Sequence, residues 1–587
     1  MRLMRRLALL ATVLSFACRP AEPATPDVQP DVEPTAQAPT NLNADFVAAS
    51  NEILDAYLAA HPERGVELGL HAFDGQLTDA TAEGLAADVK ATAAAIERLE
   101  AFEPNTLEPI HRVERAALLT ALEEVRFRIE VLQEPTKNPM FYLGALDLTA
   151  YISRDYAPLE TRAKAIIAVA KATPAHLSAA KANLQPALPR TFIATALLQA
   201  RGVASFARTD VPAAMSGLRK GPLVDEMNAA LEGMATALEG YAGYLEEAQS
   251  RATDDFALGS NTFSRMLQTT QGVDVDLAQL EAVLEADLER NLAAMNDAAA
   301  SIDAKKSTAK VVAKVAADKP KVSAVLEEAT TQARDMRAFL LDKDIITIPT
   351  EDVAEVVETP PFMRWNAAFL SGAGVFETKP LPSFYYISPP DPSWPKAKQR
   401  DYVPGKTDLL FITIHEVWPG HFLHGLHLKV GQSRILKSLW NYTTGEGWAH
   451  YTEEMMWDAG VSEDPAVHIG QLQNALLRNV RSLCAIGLHT QGMTVEQCRT
   501  MFVEKAFQDE ANAEQQAVRG TFDPMYLAYT TGKLVIRKLR ADLEAKAEAE
   551  GTPFDAKAFH DALLSYGAAP LSAVRAVMLP EDPNAIL

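Results

Sequence analysis

Cysteine is almost missing: three in 587 residues, so no disulfide framework can hold this chain together. One of them, Cys18, stands near the N-terminus, and Cys484 and Cys498 read as two buried thiols, with a single bridge between them as the other arrangement. Basic charge is also short, since 55 Lys and Arg stand against 77 Asp and Glu, a formal charge of −22. Nucleic-acid phosphates require a basic footprint, so that balance excludes them as partners. Long apolar runs are lacking too; after the first twenty residues none reaches the length that spans a bilayer as a helix. What is there is ordinary for a globular body: 48% hydrophobic and 22% charged residues, with length enough for two helical lobes and a cleft between them.

The N-terminus is basic from Met1 to Arg6, apolar from Leu7 to Ala17, and then reaches Cys18. This is the pattern of a secretory signal, 1–17, too short for a membrane helix, and the cysteine after small residues resembles a bacterial lipoprotein site. The expectation is a chain lipidated at Cys18, held to the cell envelope by that anchor, with Arg19 resembling signals sent to the outer membrane on its periplasmic face. Residues 18–40, rich in Pro, Ala, Glu and Asp without periodicity, then read as an extended, disordered tether.

From 41 to 344 apolar residues recur at helical spacing. Leu277, Leu280, Leu284 and Leu288 make one stripe, and Leu118, Leu122, Val125 and Ile129 another. Pro139, Pro158, Pro174, Pro186, Pro189 and Pro212 suggest turns between helices of ordinary length. Residues 345–406 differ in texture; stretches such as Ser383 to Ser388, stopped by Pro389 and Pro390, predict a small sheet or irregular wall. Helices resume over 407–587, forming one unit with 41–406, and the strongest chemical signals lie there. The fold class expected is mainly α with a small β element.

The most informative segment runs from Ile412 to His421 and contains His415-Glu416-Val417-Trp418-Pro419-Gly420-His421. It starts like a zinc-peptidase helix, in which two histidines one turn apart hold the metal and the Glu between them acts as base. Here the second histidine comes six residues on. On an unbroken helix it would lie about 240° around and about 9 Å along from the first, out of reach of a common ion. Pro419 and Gly420 are residues that can break the helix and return His421 to His415. Glu446, on what reads as the next helix, is the candidate third ligand, leaving a fourth position open on a zinc ion (Zn2+). Glu453, seven positions further, falls near the same face and can orient a ligand. His424 and His427 step by three from His421 along one broad helix face, so either could substitute for it, and these two and His450 are candidates to line the pocket.

These motifs resemble those of the bacterial domain-of-unknown-function family 885: His-Glu-x-x-Pro-Gly-His at 415–421, then Glu-Gly-Trp-Ala-x-Tyr at 446–451. The resemblance continues through Arg481-Ser482, Gly487-Leu488-His489, Arg519, Pro524, Tyr529 and Gly532-Lys533, and upstream through Asn138-Pro139 and Tyr156-Ala157-Pro158. Phe422 and His424 depart from the family pattern, which often has His and Gln there. The resemblance implies a two-lobed, zincin-like fold of the helical oligopeptidase and angiotensin-converting-enzyme type. By the same resemblance Tyr529, then His489 and Tyr526, are candidates to stabilise an oxyanion. Arg519 and Arg481 could hold a substrate carboxylate.

The function expected is a zinc metallopeptidase with Glu416 as general base and a peptide as substrate. Two other readings stay open: a non-catalytic helical envelope protein with a degenerate metal site, and a zinc hydrolase of another amide or ester. The sequence carries no signal for oligomeric state.

Overall fold

Stretches rich in alanine and leucine, with apolar residues three and four apart, form helices that bury those stripes. Leu280, Leu284 and Leu288 are buried, as are Leu118 and Leu122, with Val125 and Ile129 half-buried beside them. The computed structural model describes residues 42–360, 363 and 367–587. The signal, Cys18 and the tether lie outside the described residues. Residues Leu42–Leu587 form one compact unit, mainly helical, with apolar side chains gathered into two cores. The smaller core is built largely by three long helices, Leu159–Asn183, Arg190–Ala214 and Pro222–Ala248. The larger one takes in most of the rest, including all of the C-terminal part.

Two of the expected breaks are not breaks. Pro174 lies inside the helix Leu159–Asn183 and Pro212 inside Arg190–Ala214. A single proline removes one backbone bond, and burial of the face on either side holds each helix together through it.

The region 345–406 contains the expected sheet. Strands β1 (Ala354–Glu358), β2 (Ala368–Ser371) and β3 (Ser383–Ile387) lie in the order β1-β3-β2. β3 pairs parallel to β1 and antiparallel to β2, with Leu370 opposite Tyr385. β2 is therefore an outer strand.

Six helices frame the region of interest: α1 (Leu277–Asp303), α2 (Lys406–Glu416), α3 (His421–Val430), α4 (Tyr442–Asp458), α5 (Pro465–Thr490) and α6 (Ala528–Glu550). Glycines let α4 and α6 touch backbone to backbone. A Cβ on Gly447 would stand 2.4 Å from the Gly532 Cα, and one on Gly532 would stand 2.0 Å from the Thr443 carbonyl oxygen.

Behind α4 the same helices share a buried layer of charge. Lys533 Nζ donates to Asp287 Oδ2 at 2.7 Å and lies 3.4 Å from Glu454, while Arg290 reaches Asp287 at 2.7 Å and Glu454 at 2.8 Å. Arg537 also pairs with Glu454, and the amides of Asn291 and Asn479 donate to Asp287. Burial raises Asp287, but Lys533 and Arg290 outweigh it and hold the carboxyl well below the usual range. Each buried charge here has an opposite partner, which is what such burial requires.

The two remaining cysteines are not free. Cys484 on α5 and Cys498 on the helix Val495–Ala506 are joined in a disulfide, their Cα atoms 5.6 Å apart. The turn after α5 folds the chain back on itself and brings the two Cα atoms within bridging distance, which the spacing of fourteen residues alone does not dictate.

Candidate metal centre

α2 ends at Glu416 and α3 begins at His421, so the helix is interrupted over 417–420. Val417 leaves helical geometry at φ −120°, ψ −75°, and the Gly420 N–H reaches back to the Ile414 carbonyl at 3.0 Å. The backbone at Gly420 then passes so close to the end of α2 that a Cβ there would fall 1.7 Å from the His415 carbonyl oxygen. Only glycine fits such an approach. The Trp448 indole N–H donates to the Pro419 carbonyl at 3.1 Å and fixes the turn to α4. The result is that the His415 and His421 rings meet, their centroids 4.8 Å apart and their planes at 87°.

Glu446 completes the group from α4. Asn441 caps that helix, its side chain accepting the Thr444 N–H, and Gly445 packs against the Trp440 ring where a Cβ would be 2.0 Å from the indole. This seating puts Glu446 Oε2 at 3.4 Å from His415 Nε2 and 3.3 Å from His421 Nε2. The oxygen is buried, and at these separations it makes no hydrogen bond of good geometry to either ring. Ligands about 2.0–2.1 Å from a zinc ion in a tetrahedron stand about 3.3 Å from one another. One ligand atom from each of His415, His421 and Glu446 lies within 4.8 Å of the others, so the donor set and its spacing fit a zinc ion.

Charge supports that fit. Burial alone would raise the Glu446 carboxyl, but His421 and His415 hold it far below the usual carboxylate range. Burial and the nearby Arg478 oppose a charge on His415, yet the adjoining carboxylates of Glu446 and Glu453 push it up to about 9. A cation is favoured at this spot, and a metal bound there must displace that proton.

Behind His415, Glu453 is fully buried and accepts the imidazole Nδ1–H at 2.7 Å, leaving Nε2 to face Glu446 and His421. Arg478 of α5 closes on Glu453 at 3.0 Å, and His450 lies 3.3 Å from its other oxygen. Burial raises the Glu453 carboxyl, but Arg478 and His450 outweigh it and keep it ionised. Glu416 faces outward from the end of α2, where its Oε2 accepts the Leu370 N–H of β2 at 3.0 Å. Glu416, His421 and Glu446 share the wall of a cavity of about 370 Å³ with Leu370, Trp440 and Arg64.

Residues 62–578 match the family described as bacterial protein of unknown function DUF885. The chain belongs to that family. Two solved structures share the fold. One, from Shewanella oneidensis, is described as a candidate lipoprotein of unknown function; it is 22% identical with a TM-score of 0.77, covering 91% of this chain and 99% of its own. The other, a candidate lipoprotein from Colwellia psychrerythraea, is 16% identical with a TM-score of 0.76, covering 92% of this chain and 99% of its own. No curated protein matches the chain.

The remaining residues that this DUF885 sequence singles out are scattered. Tyr529 of α6 lies beside the metal group, its ring 6.2 Å from that of His415 and its hydroxyl 3.3 Å from the Tyr442 hydroxyl. Burial and the charge of Glu446 raise it. Arg519 is tied to Asp523 at 2.7 Å and to Tyr442 at 3.3 Å. Arg481 is 9% exposed, and its Nε donates to Gln516 at 2.8 Å.

Tyr526 is wholly buried beneath Arg519 and faces Gly520 rather than the metal group. His489 is not brought to the site. It lies eleven residues beyond Arg478 on α5, about 16 Å along the helix, bonded to the Gly520 carbonyl at 2.8 Å, and it lines a different cavity of about 620 Å³. His424 is not among the three grouped residues either; it is buried against Trp440, and burial pushes it down to about 3. His427 bonds to the Thr347 carbonyl.

Arg478, Tyr442 and the Leu370 N–H were not anticipated. Arg478 and Arg481 share the helix spacing of three that puts both on one face, but that spacing alone marks neither as buried.

Proposed function

We propose that this protein is a zinc-dependent hydrolase, a metallopeptidase that cleaves peptides with a metal-activated water. One observation carries the reading: two imidazole nitrogens and one carboxylate oxygen converge within 4.8 Å, with the carboxylate of Glu416 on the wall of the same cavity. Zinc held by His415, His421 and Glu446 would supply a Lewis acid that brings the pKa of a water toward neutrality and polarises the scissile carbonyl.

The protein's own groups do the rest. Glu416 takes the proton of the attacking water and delivers it to the leaving amine, a role worth about 10²- to 10⁴-fold. The Leu370 N–H holds that carboxylate in place, and it does so from the outer edge of a sheet. An outer strand beside the general base offers backbone groups with which an extended peptide can pair, which favours a peptide over a small ester. Glu453 fixes the tautomer of His415 and Arg478 keeps Glu453 charged. Tyr529 is placed to donate to the oxyanion that develops on the carbonyl.

The test is Glu416→Gln, which keeps size and shape and removes the base. Zinc content should remain one per chain while peptide cleavage falls by at least about 10²-fold. Full activity in this variant would refute the assignment of the base; wild-type protein that takes up no zinc would refute the whole reading.

The site of action proposed is the cell envelope, with Cys18 as the lipid-bearing residue and the outer membrane as destination. Among the described residues no helix is long and apolar enough to cross a membrane, and the two structural relatives are described as candidate lipoproteins. Membrane fractionation of the wild type and Cys18→Ser checks it, since only the variant should be released.

A further inference from the structure

Arg481 is a buried cation without a counter-ion. Its neighbours on α5 and beyond each have one: Arg478 pairs with Glu453 at 3.0 Å and Arg519 with Asp523 at 2.7 Å. Arg481 has only the neutral side chain of Gln516, bonded to Nε, so among the described residues neither Nη has a partner. The side chain is nine-tenths buried. Its guanidinium sits over the Tyr529 ring, 5.2 Å from the centroid, as Arg478 does at 5.4 Å. A buried charge left unpaired is costly, and burial together with Arg519 lowers this one to about 10. Such a group is retained at a cost to folding, and a fork of free N–H donors is the arrangement that binds a carboxylate in two bonds.

Position identifies whose carboxylate. The Tyr529 ring lies 6.2 Å from the His415 ring and 5.2 Å from Arg481, so the guanidinium is at most about 11 Å from the first metal ligand. Extended peptide advances about 3.3–3.6 Å per residue, so that span is about three residues.

We propose that Arg481 receives a carboxylate of the peptide substrate, borne one to three residues from the bond that is cut. This rests on the peptidase reading above. A C-terminal carboxylate would make the protein an enzyme that removes short pieces from the carboxyl end; an Asp or Glu side chain would give it a preference for acidic residues. The charge is the same, and the two sources separate in one assay.

Four peptides of one sequence are needed, ending in free acid or in amide and carrying Glu or Gln near the cut, with kcat/KM measured for zinc-loaded wild type, Arg481→Gln and Arg481→Lys. In wild type, neutralising the carboxylate that Arg481 binds should lower kcat/KM about 10- to 100-fold. Loss on amidation assigns the terminus, and loss on Glu-to-Gln assigns the side chain. Arg481→Gln should lose the preference, cleaving charged and neutral peptides alike, and because the readout is the ratio of the two rates within one variant, a general loss through its packing on Tyr529 cancels. Arg481→Lys should keep part of the preference. Equal cleavage of all four peptides by wild type, or an unchanged preference in Arg481→Gln, overturns the proposal and leaves the peptidase reading intact. Zinc-loaded wild type that cuts none of them removes both.

Discussion

Replacing Glu453 by alanine should damage metal binding and folding together, although Glu453 is not a ligand. Its carboxylate is fully buried and takes three neighbours at once: His415 Nδ1 at 2.7 Å, Arg478 at 3.0 Å and His450 at 3.3 Å. Without it His415 loses the bond that fixes its ring, and loss of such a partner typically costs 10- to 100-fold in metal affinity. The heavier effect falls on Arg478, 7% exposed, which becomes a buried cation with no carboxylate. Breaking a buried pair from one side costs about 3–5 kcal/mol. Glu453→Gln keeps an acceptor for His415 and should spare more of the zinc affinity than of the stability. Zinc affinity is read by competition with a chromophoric chelator, and stability by urea unfolding of the metal-free protein. An alanine variant with wild-type affinity and a stability within about 0.5 kcal/mol of wild type would refute the account of Glu453 as the support of the site, since changes that small are typical of positions without a structural role.

Gly420→Ala should destabilise the metal-free fold by about 3 kcal/mol and abolish stoichiometric zinc uptake, because the new Cβ overlaps the His415 carbonyl oxygen; unfolding curves and metal analysis check it, and an alanine variant with full zinc content would contradict it. Stability should also fall as the pH drops below about 6.5. Burial lowers His424 to about 3 and His560 to about 4, so below their unfolded value of 6.5 the unfolded chain binds protons that the folded chain does not. At pH 5 each such group costs about 2 kcal/mol. His424→Leu should therefore flatten the dependence between pH 6.5 and 4.5, as read from urea midpoints; an unchanged slope would count against a neutral buried His424.

Much of the site was readable because its chemistry is local. His415, Glu416 and His421 stand in one short segment, and the requirement that Pro419 and Gly420 break the helix followed from the angle between positions six apart. Glu446 and Glu453 followed from helical period on the next helix. What escaped had no local signal. Leu370 contributes a backbone N–H, which any residue has, and only the pairing of β2 with β3 turns it toward Glu416. Arg478 reads in sequence like any surface arginine until α5 is packed between α1 and α2. His489 was placed by resemblance alone, and the length of α5 carries it away from the metal group. In the fold, the helical stripes and the strand at Ser383 were plain, whereas Pro174 and Pro212 misled because the packing of long helices outweighs the loss of a single backbone bond. Cys484 and Cys498 could not be paired by spacing, since their proximity is made by the turn after α5.

The ionic layer shared by Asp287, Lys533, Glu454 and Arg290 has a bearing on how the protein can breathe. Sliding α4 against α1 or α6 would part the buried charges of Lys533, Asp287 and Glu454 from their partners, so the floor under the metal group resists such motion. Opposite it, across the open cavity, stand Leu370 of the outer strand and Arg64 of the N-terminal part, and the chain between β2 and β3 is tied to that part by pairs nearer to solvent, His71 with Glu377 at 3.0 Å and Lys379 with Asp155 at 2.9 Å. In the proposed peptidase, admission of a bulky chain would fall to this more exposed side, with the floor as the fixed anvil beneath it.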